Sequence, residues 1–510
     1  MCDTNLRERA SLLEWCITVA TATVLAVIII HRALSCGLFG DELLFVHAIE
    51  LGLQNSLMAP GSSHPPLVRL IVSLIADPSQ SPDWLLRLPS LVFATGCVFV
   101  WQRVLERVIE RRLLRCLLLP AIALNPLWLG QAFQCLPYPA LVFFGSLHCL
   151  AWMRFVERPS LHRTAALVLS GSVLPWIHFY GVNVLITGQL IWLLLLWNRQ
   201  FDLREYVYTN LCTAALTLPV IPLAVFYVVN DRPYPLIEIK DYGSYFVSFS
   251  SYCFSKVTFP GLELSQPFFM LVYLGIGIYI WKHHLCRGNR VDRLDNARLV
   301  AIGFLLAGFT AAQVHSVVSH AAMWPRYMLI GSWIHLPVIV MLLLVFELRH
   351  VAWTFSVGCA ALAVSQFAYQ ASFTTGTDYG AVARHIESSR LPNDAFLVQS
   401  MDMWQGENHF DRLWLERYAV SRLPTVTGAL QSRSGLIGRG LPLTSIKRDV
   451  DRVWVYSHLF RRTWLSKQNI HGWRLAELRD FGGPFPLALL ERASRASADT
   501  TVALRGSFGN

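Results

Sequence analysis

Charged residues are scarce in this chain of 510 residues: they make up 15% of it, whereas hydrophobic residues make up 54%. A soluble globular protein carries about 25% charged residues. Lysine is also rare, with five residues, so that nearly all of the 43 basic residues are arginine. The low charge excludes an ordinary soluble domain, and the arginine bias is typical of a GC-rich bacterial genome.

Regular cysteine motifs and internal repeats are both missing. The eleven cysteines form no CxxC pair and have no regular spacing, and most lie within apolar segments. We therefore expect neither a disulfide framework nor a zinc site, and interpret most cysteines as small buried apolar residues. Many transporters are built from repeated halves, and no such repeat is visible here.

Long apolar segments fill the first 370 residues. Each is about 20 residues long, the length that crosses a bilayer. They lie near 13–34, 86–104, 113–130, 137–154, 163–181, 183–198, 206–229, 267–282, 298–320, 327–346 and 351–370. The first is too long for a signal-peptide core and has no small-residue cleavage site after it, so we interpret it as a retained anchor. These segments predict an α-helical polytopic membrane protein with about 11–13 transmembrane helices.

Basic residues alternate between loops and predict the topology. The net charge is +10, and the basic residues behind it lie in every second loop. This is the positive-inside pattern of membrane proteins. Because the basic residues do not form one patch, the pattern argues against nucleic-acid binding. The N-terminus is then cytoplasmic, and the loop 35–85 and the C-terminal residues lie on the outer side. The segment 66–76 is too short to cross and contains Arg69, so we expect an interfacial or re-entrant helix there.

The composition changes after Phe373, where apolar runs shorten and charges of both signs mix. We therefore predict a membrane domain over 1–373 and an extracytoplasmic α/β domain over 374–510. The periodicity of the second part predicts five elements and one loop. They are helices over 378–389 and 409–420, strands over 395–398, 452–456 and 486–490, and a loop over 429–442.

Two short motifs lie in the predicted first outer loop: Gly40-Asp41-Glu42, and about twenty residues later His64-Pro65-Pro66-Leu67. A carboxylate at a membrane surface can act as a general base toward a hydroxyl or an amine. The alternative is structural, because two acidic residues also suit the first turn of an interfacial helix. His64 before the two prolines could likewise only order the loop.

Other polar residues are predicted on the same side of the membrane. Arginine among them can bind phosphate through two hydrogen bonds, which suggests an anionic lipid substrate. These residues are Asp83, Arg87, Gln134, Tyr138, His178, Tyr180, Asp231, Arg232, Glu238, Lys240, Asp241, His315, His320, Trp324, Arg326 and Tyr327. For each histidine, a hydrogen bond to a backbone carbonyl is the structural alternative, and for Arg326 it is anchoring at the headgroups.

The order of these motifs resembles the C-type glycosyltransferases (GT-C fold), and in particular the protein O-mannosyltransferase and lipid A aminoarabinose transferase group. It is carried by Asp41-Glu42, His64-Pro65-Pro66-Leu67, Arg87-Leu88-Pro89-Ser90 and Arg326-Tyr327-Met328-Leu329. The resemblance implies that Asp41 deprotonates the acceptor, that Glu42 supports Asp41 or positions the acceptor, and that Arg326 neutralises the leaving polyprenyl phosphate. His64 and Tyr327 are then expected to contact substrate.

One departure from the resemblance concerns the predicted third span. Many relatives have Glu-Ala-Arg-Pro-Tyr there, whereas this chain has Gln134-Cys135-Leu136-Pro137-Tyr138. Substrate binding at Gln134 and Tyr138 must therefore differ from that in these relatives. This difference weakens any assignment of the aminoarabinose reaction itself. Arg87 or Lys240 is expected to supply the missing charge to the donor phosphate.

The resemblance implies a sugar transfer from a polyprenyl-phosphate donor to a hydroxyl or amine of a lipid, glycan or protein acceptor. The expected place is the outer face of a bacterial inner membrane, with membrane lipids and no nucleic acid as partners. A transporter or flippase for a lipid-linked saccharide is the alternative, and a polysaccharide polymerase or ligase is a weaker one. The sequence identifies no cofactor. A divalent metal that bridges Asp41 and the donor phosphate is an open alternative.

Overall fold

Helices account for almost every described residue of the first 370. The computed structural model describes residues 2–52, 64–197, 202–223, 225, 265–286, 294–306, 331, 333–370, 378–399, 417–418, 425–427, 450–457, 473–479, 481 and 487–492. The helices are α1 Cys2–Ser35, α2 Gly40–Glu50, α3 Leu67–Ile75, α4 Asp83–Leu86, α5 Leu88–Val108, α6 Arg112–Ala123, α7 Pro126–Ala132, α8 Tyr138–Glu157, α9 Leu161–Ile177, α10 Gly181–Trp197, α11 Leu203–Thr217, α12 Ser265–Ile280, α13 294–306, α14 His335–Val345 and α15 Arg349–Gln370. A 3₁₀ turn, Leu218–Val220, follows α11, and a π-helical turn, Trp281–Leu285, follows α12.

Each of the eleven predicted apolar segments overlaps at least one of these helices. Among the described residues, four helices are long and apolar enough to cross a membrane: Leu12–Ser35, Leu88–Val108, Tyr138–Glu157 and Leu203–Leu223. Two shorter apolar helices are Gly181–Leu196 and His335–Val345. This confirms the predicted fold class of a mainly helical chain with membrane-spanning segments. The short helix predicted over 66–76, interfacial or re-entrant, is present as α3, which at nine residues is too short to span.

The predicted segment 113–130 is two helices rather than one. The first, α6, ends at Ala123, and the second, α7, begins at Pro126. Proline disfavours the helical conformation of the residue before it, here Asn125, and it has no N–H to continue the helical ladder. The apolar composition predicted the length of this segment correctly, but the break follows from one proline.

Buried side-chain hydrogen bonds join the central helices. The indole Nε1 of Trp101 on α5 donates to Ser146 Oγ on α8 at 2.8 Å. On the next helix pair, His148 Nδ1 of α8 lies 2.9 Å from Ser170 Oγ of α9. Such paired polar atoms within apolar helices fix the register of neighbouring helices, because leaving either atom unpaired in an apolar interior is costly.

The chain divides into two compact units. The first contains Met1–Ser35 and Leu44–Phe373, and the second contains Cys36–Leu43 and Thr374–Asn510. The short segment Cys36–Leu43, which includes Asp41 and Glu42, therefore packs with C-terminal residues more than 300 positions away in the chain.

A five-stranded mixed sheet forms the described part of the C-terminal residues. Its strands are β1 Asp394–Gln399, β2 Thr425–Thr427, β3 Arg452–Ser457, β4 Trp473–Arg479 and β5 Leu487–Arg492, in the order β2-β1-β3-β5-β4. Strand β1 pairs in parallel with β2 and β3, and β5 pairs antiparallel with β3 and β4. Helix α16, Tyr379–Ser389, precedes β1 and is capped by Asp378, whose side chain accepts from Ala381 N.

The buried carboxylate of Asp394, at the start of β1, connects this strand to β3 and to the turn that precedes it. Its Oδ2 accepts hydrogen bonds from Trp454 Nε1 at 2.9 Å, Arg452 Nη2 at 3.1 Å and the backbone N–H of Leu391 at 3.0 Å. The predicted helix 378–389 and strands 395–398, 452–456 and 486–490 are confirmed. The predicted helix 409–420 lies outside the described residues except for 417–418, and the predicted loop 429–442 lies entirely outside them.

Candidate active site

Asp41 and Glu42 lie in the first turn of α2 and have different surroundings. Glu42 is fully buried, and its Oε2 accepts a hydrogen bond from the backbone N–H of Phe39 at 2.9 Å. Phe39 in turn accepts the first helical bond, from Leu43 N. An acidic side chain that reaches back to the N–H just before a helix is one half of a capping box. The structure thus gives the capping role to Glu42, while Asp41 is exposed to solvent.

His64 belongs to a cluster of four rings in the first unit. The ring of His64 lies 4.9 Å from that of His178 and 6.0 Å from that of Tyr138, centroid to centroid. Tyr138 and His178 are 5.5 Å apart, and Tyr180 stacks on His178 at 5.0 Å. Tyr138 and His178 are both buried. Three residues singled out from separate sequence motifs are therefore neighbours, and we call His64, Tyr138, His178 and Tyr180 the His64 cluster.

Backbone geometry positions the His178 ring. Helix α9 ends at Ile177, and the backbone N–H of Tyr180 donates to His178 Nδ1 at 3.2 Å. Because Nδ1 accepts this bond, the neutral ring carries its proton on Nε2. The ring can therefore offer an Nε2–H donor, which is suited to an anionic or carbonyl oxygen.

Two arginines of the first unit pack on the same phenylalanine, Phe133. The guanidinium carbon of Arg32, at the end of α1, lies 5.4 Å from the centroid of the Phe133 ring, and that of Arg87 lies 5.5 Å from it. Arg87 is 1% exposed, and its Nη1 donates to the carbonyl of Ala33 at 3.4 Å. A guanidinium within about 6 Å of a ring centroid is attracted to the ring electrostatically. Phe133 thus contacts both charges.

A third buried arginine contacts the loop of the His64 motif. Arg69 on α3 is 2% exposed, and its Nη2 donates to the backbone carbonyl of His64. This bond explains why a short apolar helix contains one arginine: the side chain ties α3 to the His64-Pro65-Pro66 turn. Sequence reasoning selected Arg87 but missed Arg32, whose only signal is its place at the far end of the first apolar segment.

Gln134 occupies the position at which the chain departs from the family pattern. Its backbone carbonyl accepts a hydrogen bond from Ser90 Oγ at 2.6 Å, and the residue is buried. Leu136, at the position of the pattern's arginine, is also buried. The corner between α7 and α8 therefore contains no charged side chain at these two positions, whereas Arg32 and Arg87 lie beside the neighbouring Phe133.

Three predicted site residues, Lys240, Arg326 and Tyr327, lie outside the described residues, as do His315 and His320. Their predicted roles stay predictions. Within the described ranges, no group of three or more His, Cys, Asp or Glu side chains is placed to hold a metal ion.

The chain matches no protein-family model, and it matches no curated protein. Among solved structures it is similar to ArnT from Cupriavidus metallidurans bound to undecaprenyl phosphate, with 12% identity, a TM-score of 0.47, and coverage of 92% of this chain and 97% of that one. It is also similar to the S. cerevisiae protein O-mannosyltransferase Pmt1-Pmt2 complex bound to the sugar donor, with 17% identity, a TM-score of 0.34, and coverage of 42% of this chain and 33% of that one.

A third similar structure is the Archaeoglobus fulgidus oligosaccharyltransferase in complex with Zn and sulfate. It shares 12% identity at a TM-score of 0.41 over 86% of this chain and 68% of that one. The protein O-mannosyltransferase belongs to a group that the Asp41-Glu42 and His64-Pro65-Pro66-Leu67 motifs resemble. Every one of these TM-scores is below 0.5.

Proposed function

We propose that this protein is an integral membrane glycosyltransferase. It moves a sugar from a polyprenyl-phosphate carrier to a hydroxyl or amine of a lipid, glycan or protein acceptor, at the outer face of a bacterial inner membrane. The observation that carries the proposal is three buried arginines in the first unit: Arg32 and Arg87 lie against the ring of Phe133, and Arg69 donates to the backbone carbonyl of His64.

Buried arginines among apolar helices are costly and generally functional. A guanidinium has five N–H donors in a planar fork that matches the oxygens of a phosphate. Arg32 and Arg87 both lie against the ring of Phe133. This concentration of fixed positive charge suits a phosphate ester better than a neutral saccharide, which supports a lipid-linked phosphate as the donor.

The proposed chemistry is a substitution at the anomeric carbon of the donor sugar. The acceptor oxygen or nitrogen forms a bond to this carbon, the bond from the carbon to the phosphate oxygen breaks, and polyprenyl phosphate leaves as an anion. Asp41 takes the proton of the acceptor, and arginine stabilises the charge that develops on the leaving oxygen. Because the leaving group is already a stable anion, charge stabilisation supplies the larger share of the rate enhancement.

The decisive experiment is sugar transfer by the purified full chain in liposomes, with a panel of radiolabelled polyprenyl-phosphate sugars and total envelope lipid, glycan and protein as acceptors. We expect one donor to lose its sugar to an acceptor, and Asp41→Asn to abolish this transfer while the protein stays monodisperse and inserted. Full activity of Asp41→Asn would remove Asp41 from the mechanism.

The same liposomes test the transporter alternative. Movement of the lipid-linked sugar between leaflets without any transfer product would support a flippase and overturn the proposal. The predicted metal option is tested by adding EDTA to the transfer assay, since a metal that bridges Asp41 and the donor phosphate would make transfer sensitive to the chelator.

A further inference from the structure

The segment Cys36–Leu43, here called the Asp41 segment, packs with the C-terminal unit rather than with the helices on either side of it in the chain. It directly follows α1 and includes the first turn of α2. Its contacts to C-terminal residues are therefore long-range in the sequence. We infer that residues of that unit hold Asp41 in place.

Two hydrogen bonds connect the backbone of the segment to C-terminal side chains. The N–H of Gly37 donates to Asp378 Oδ1 at 2.9 Å, in a buried position. The N–H of the next residue, Leu38, donates to the hydroxyl oxygen of Tyr418 at 2.7 Å. Both distances are those of well-formed hydrogen bonds. With Phe39 N bonded to Glu42, three successive backbone N–H groups before Asp41 have defined partners.

Asp378 connects the segment to a regular element. The same Oδ1 accepts from the backbone N–H of Ala381 at 2.9 Å and so caps α16. A capping side chain is held at the helix end by the geometry of the first turn. The N–H of Gly37 is thus bonded to an oxygen whose position is set by α16.

The segment also approaches α16 backbone to backbone. A Cβ atom on Gly37 would lie 2.7 Å from the backbone nitrogen of Gly380 and 2.8 Å from the hydroxyl oxygen of Tyr418. A Cβ on Gly380 would in turn lie 3.2 Å from the Cα of Gly37. Glycine is therefore required at position 37 for this approach, because any side chain would collide with the backbone of Gly380 and with the hydroxyl of Tyr418.

We propose that Asp378 and Tyr418 are positioning residues for Asp41: they hold the Asp41 segment so that its carboxylate meets the acceptor in the reactive geometry. This inference rests on the proposed function, in which Asp41 is the base. It makes the C-terminal unit a part of the catalytic apparatus, acting through the backbone of residues 37 and 38 without itself touching the reacting atoms.

The test compares Tyr418→Phe, Asp378→Ala and Asp378→Asn in the full chain. Tyr418→Phe removes one hydroxyl, and we expect kcat to fall about 10- to 100-fold, the effect of a small misplacement of a reacting group, with the KM for the donor within about twofold of its original value. Asp378→Ala is expected to act likewise. Asp378→Asn keeps an Oδ1 acceptor for both N–H groups, so it should restore most of kcat.

Matched controls separate positioning from general damage. Ser388→Ala removes a hydroxyl from α16 whose bond goes to the exposed carbonyl of His385, and Gly358→Ala adds a Cβ on α15 where nothing lies within 4 Å. Both should retain normal kcat, whereas Gly37→Ala should lose at least as much as Tyr418→Phe. Hydrogen–deuterium exchange gives a readout independent of sugar transfer: Tyr418→Phe should accelerate exchange at Leu38 and leave α5 unchanged.

The outcomes are distinct. If Asp41→Asn is inactive and Tyr418→Phe retains normal kcat, the positioning inference is overturned while the proposed function stands. If Asp41→Asn is fully active in sugar transfer, Asp41 is not the base and the positioning inference fails with it, whereas the glycosyltransferase activity itself stands. If Leu38 exchange is unchanged in Tyr418→Phe, the hydrogen bond does not hold the segment, and the inference is overturned whatever the kinetics show.

Discussion

The carboxylate of Glu42 accepts the backbone N–H of Phe39 at 2.9 Å, three residues earlier in the chain. This bond separates the roles of two adjacent acids, because Glu42 is buried and caps α2 whereas Asp41 is exposed. We therefore expect Glu42→Gln, which keeps an acceptor oxygen, to retain the stability and most of the transfer activity. Glu42→Ala should lower the free energy of unfolding by about 1 kcal/mol, the usual cost of a lost cap.

Thermal unfolding and sugar transfer, measured on the same preparations, check this division of roles. The expected order is normal stability and no transfer for Asp41→Asn, and reduced stability with residual transfer for Glu42→Ala. A Glu42→Gln variant that is stable but as inactive as Asp41→Asn would contradict a capping role and show that the negative charge of Glu42 takes part in the reaction.

Arg87 is expected to contribute to donor binding through its fixed guanidinium plane. Charge-assisted hydrogen bonds contribute about 1.5–3 kcal/mol each, so Arg87→Ala should weaken the binding of polyprenyl phosphate about 10- to 100-fold. Arg87→Lys should recover only part of this, because lysine lacks the planar fork of five N–H donors. Arg32→Ala should behave like Arg87→Ala.

Intrinsic tryptophan fluorescence titrated with polyprenyl phosphate in detergent measures these affinities. Arg384→Ala is the control, since its side chain is 65% exposed and its nearest carboxylate, that of Asp378, lies 3.9 Å away. Unchanged affinity in both Arg87→Ala and Arg32→Ala would show that these arginines are structural.

Apolar segment length predicted most of the helical part of this fold, because crossing a bilayer imposes a length that composition alone reveals. The strand β4 was not predicted from the sequence, and the reason is physical. It is an edge strand with Arg474, Glu477 and Arg479 among its seven residues. Charged residues protect an exposed edge from pairing with other strands, but they also interrupt the alternation of apolar and polar residues by which a strand is recognised. The strand β2 has only three residues and no alternation to detect.

The candidate site was predictable only in part. The motifs identified Asp41, His64 and Tyr138, and the structure places His64 beside Tyr138. The contacts of Gly37 with Asp378 and of Leu38 with Tyr418 join residues 341 and 380 positions apart in the chain. No local pattern encodes such pairs, since each residue is individually ordinary: a glycine, a cap and an aromatic.

A buried ion pair joins α1 to α6. Arg115 donates to Glu14 Oε1 through Nε at 2.8 Å and Nη2 at 2.6 Å, and both side chains are almost fully buried. Removing one partner of such a pair leaves an uncompensated buried charge and costs about 3–5 kcal/mol. We therefore expect Glu14→Ala to lower the unfolding free energy of the first unit strongly. The double variant Glu14→Ala with Arg115→Met should recover much of that free energy.

Unfolding in mixed micelles with increasing SDS measures this effect. The matched control is Glu106→Ala, whose partner Arg103 lies 3.0 Å away in a far more exposed pair and which should cost less than about 1 kcal/mol. Equal losses of unfolding free energy for Glu14→Ala and Glu106→Ala would show that burial of the ion pair does not determine the cost of breaking it.

His284, in the π-helical turn after α12, is expected to make stability depend on pH. The ring is completely buried, and burial lowers its pKa to about 4, with a further lowering by His283 and an opposing effect of Asp295. Since the unfolded chain binds the proton near pH 6.5, the stabilising effect is present above pH 6.5. It is lost as the pH falls toward 4, because protons then favour the unfolded state.

The expected loss between these two pH values is on the order of 3 kcal/mol from this residue, measured as the pH dependence of the unfolding free energy. His284→Gln removes the titrating group and should flatten that part of the curve. His350→Gln removes an exposed histidine at the start of α15 and should leave the curve unchanged. If the unfolding free energy of His284→Gln still falls by the same amount between pH 6.5 and pH 4, other groups cause the pH dependence, because glutamine does not bind a proton in this range.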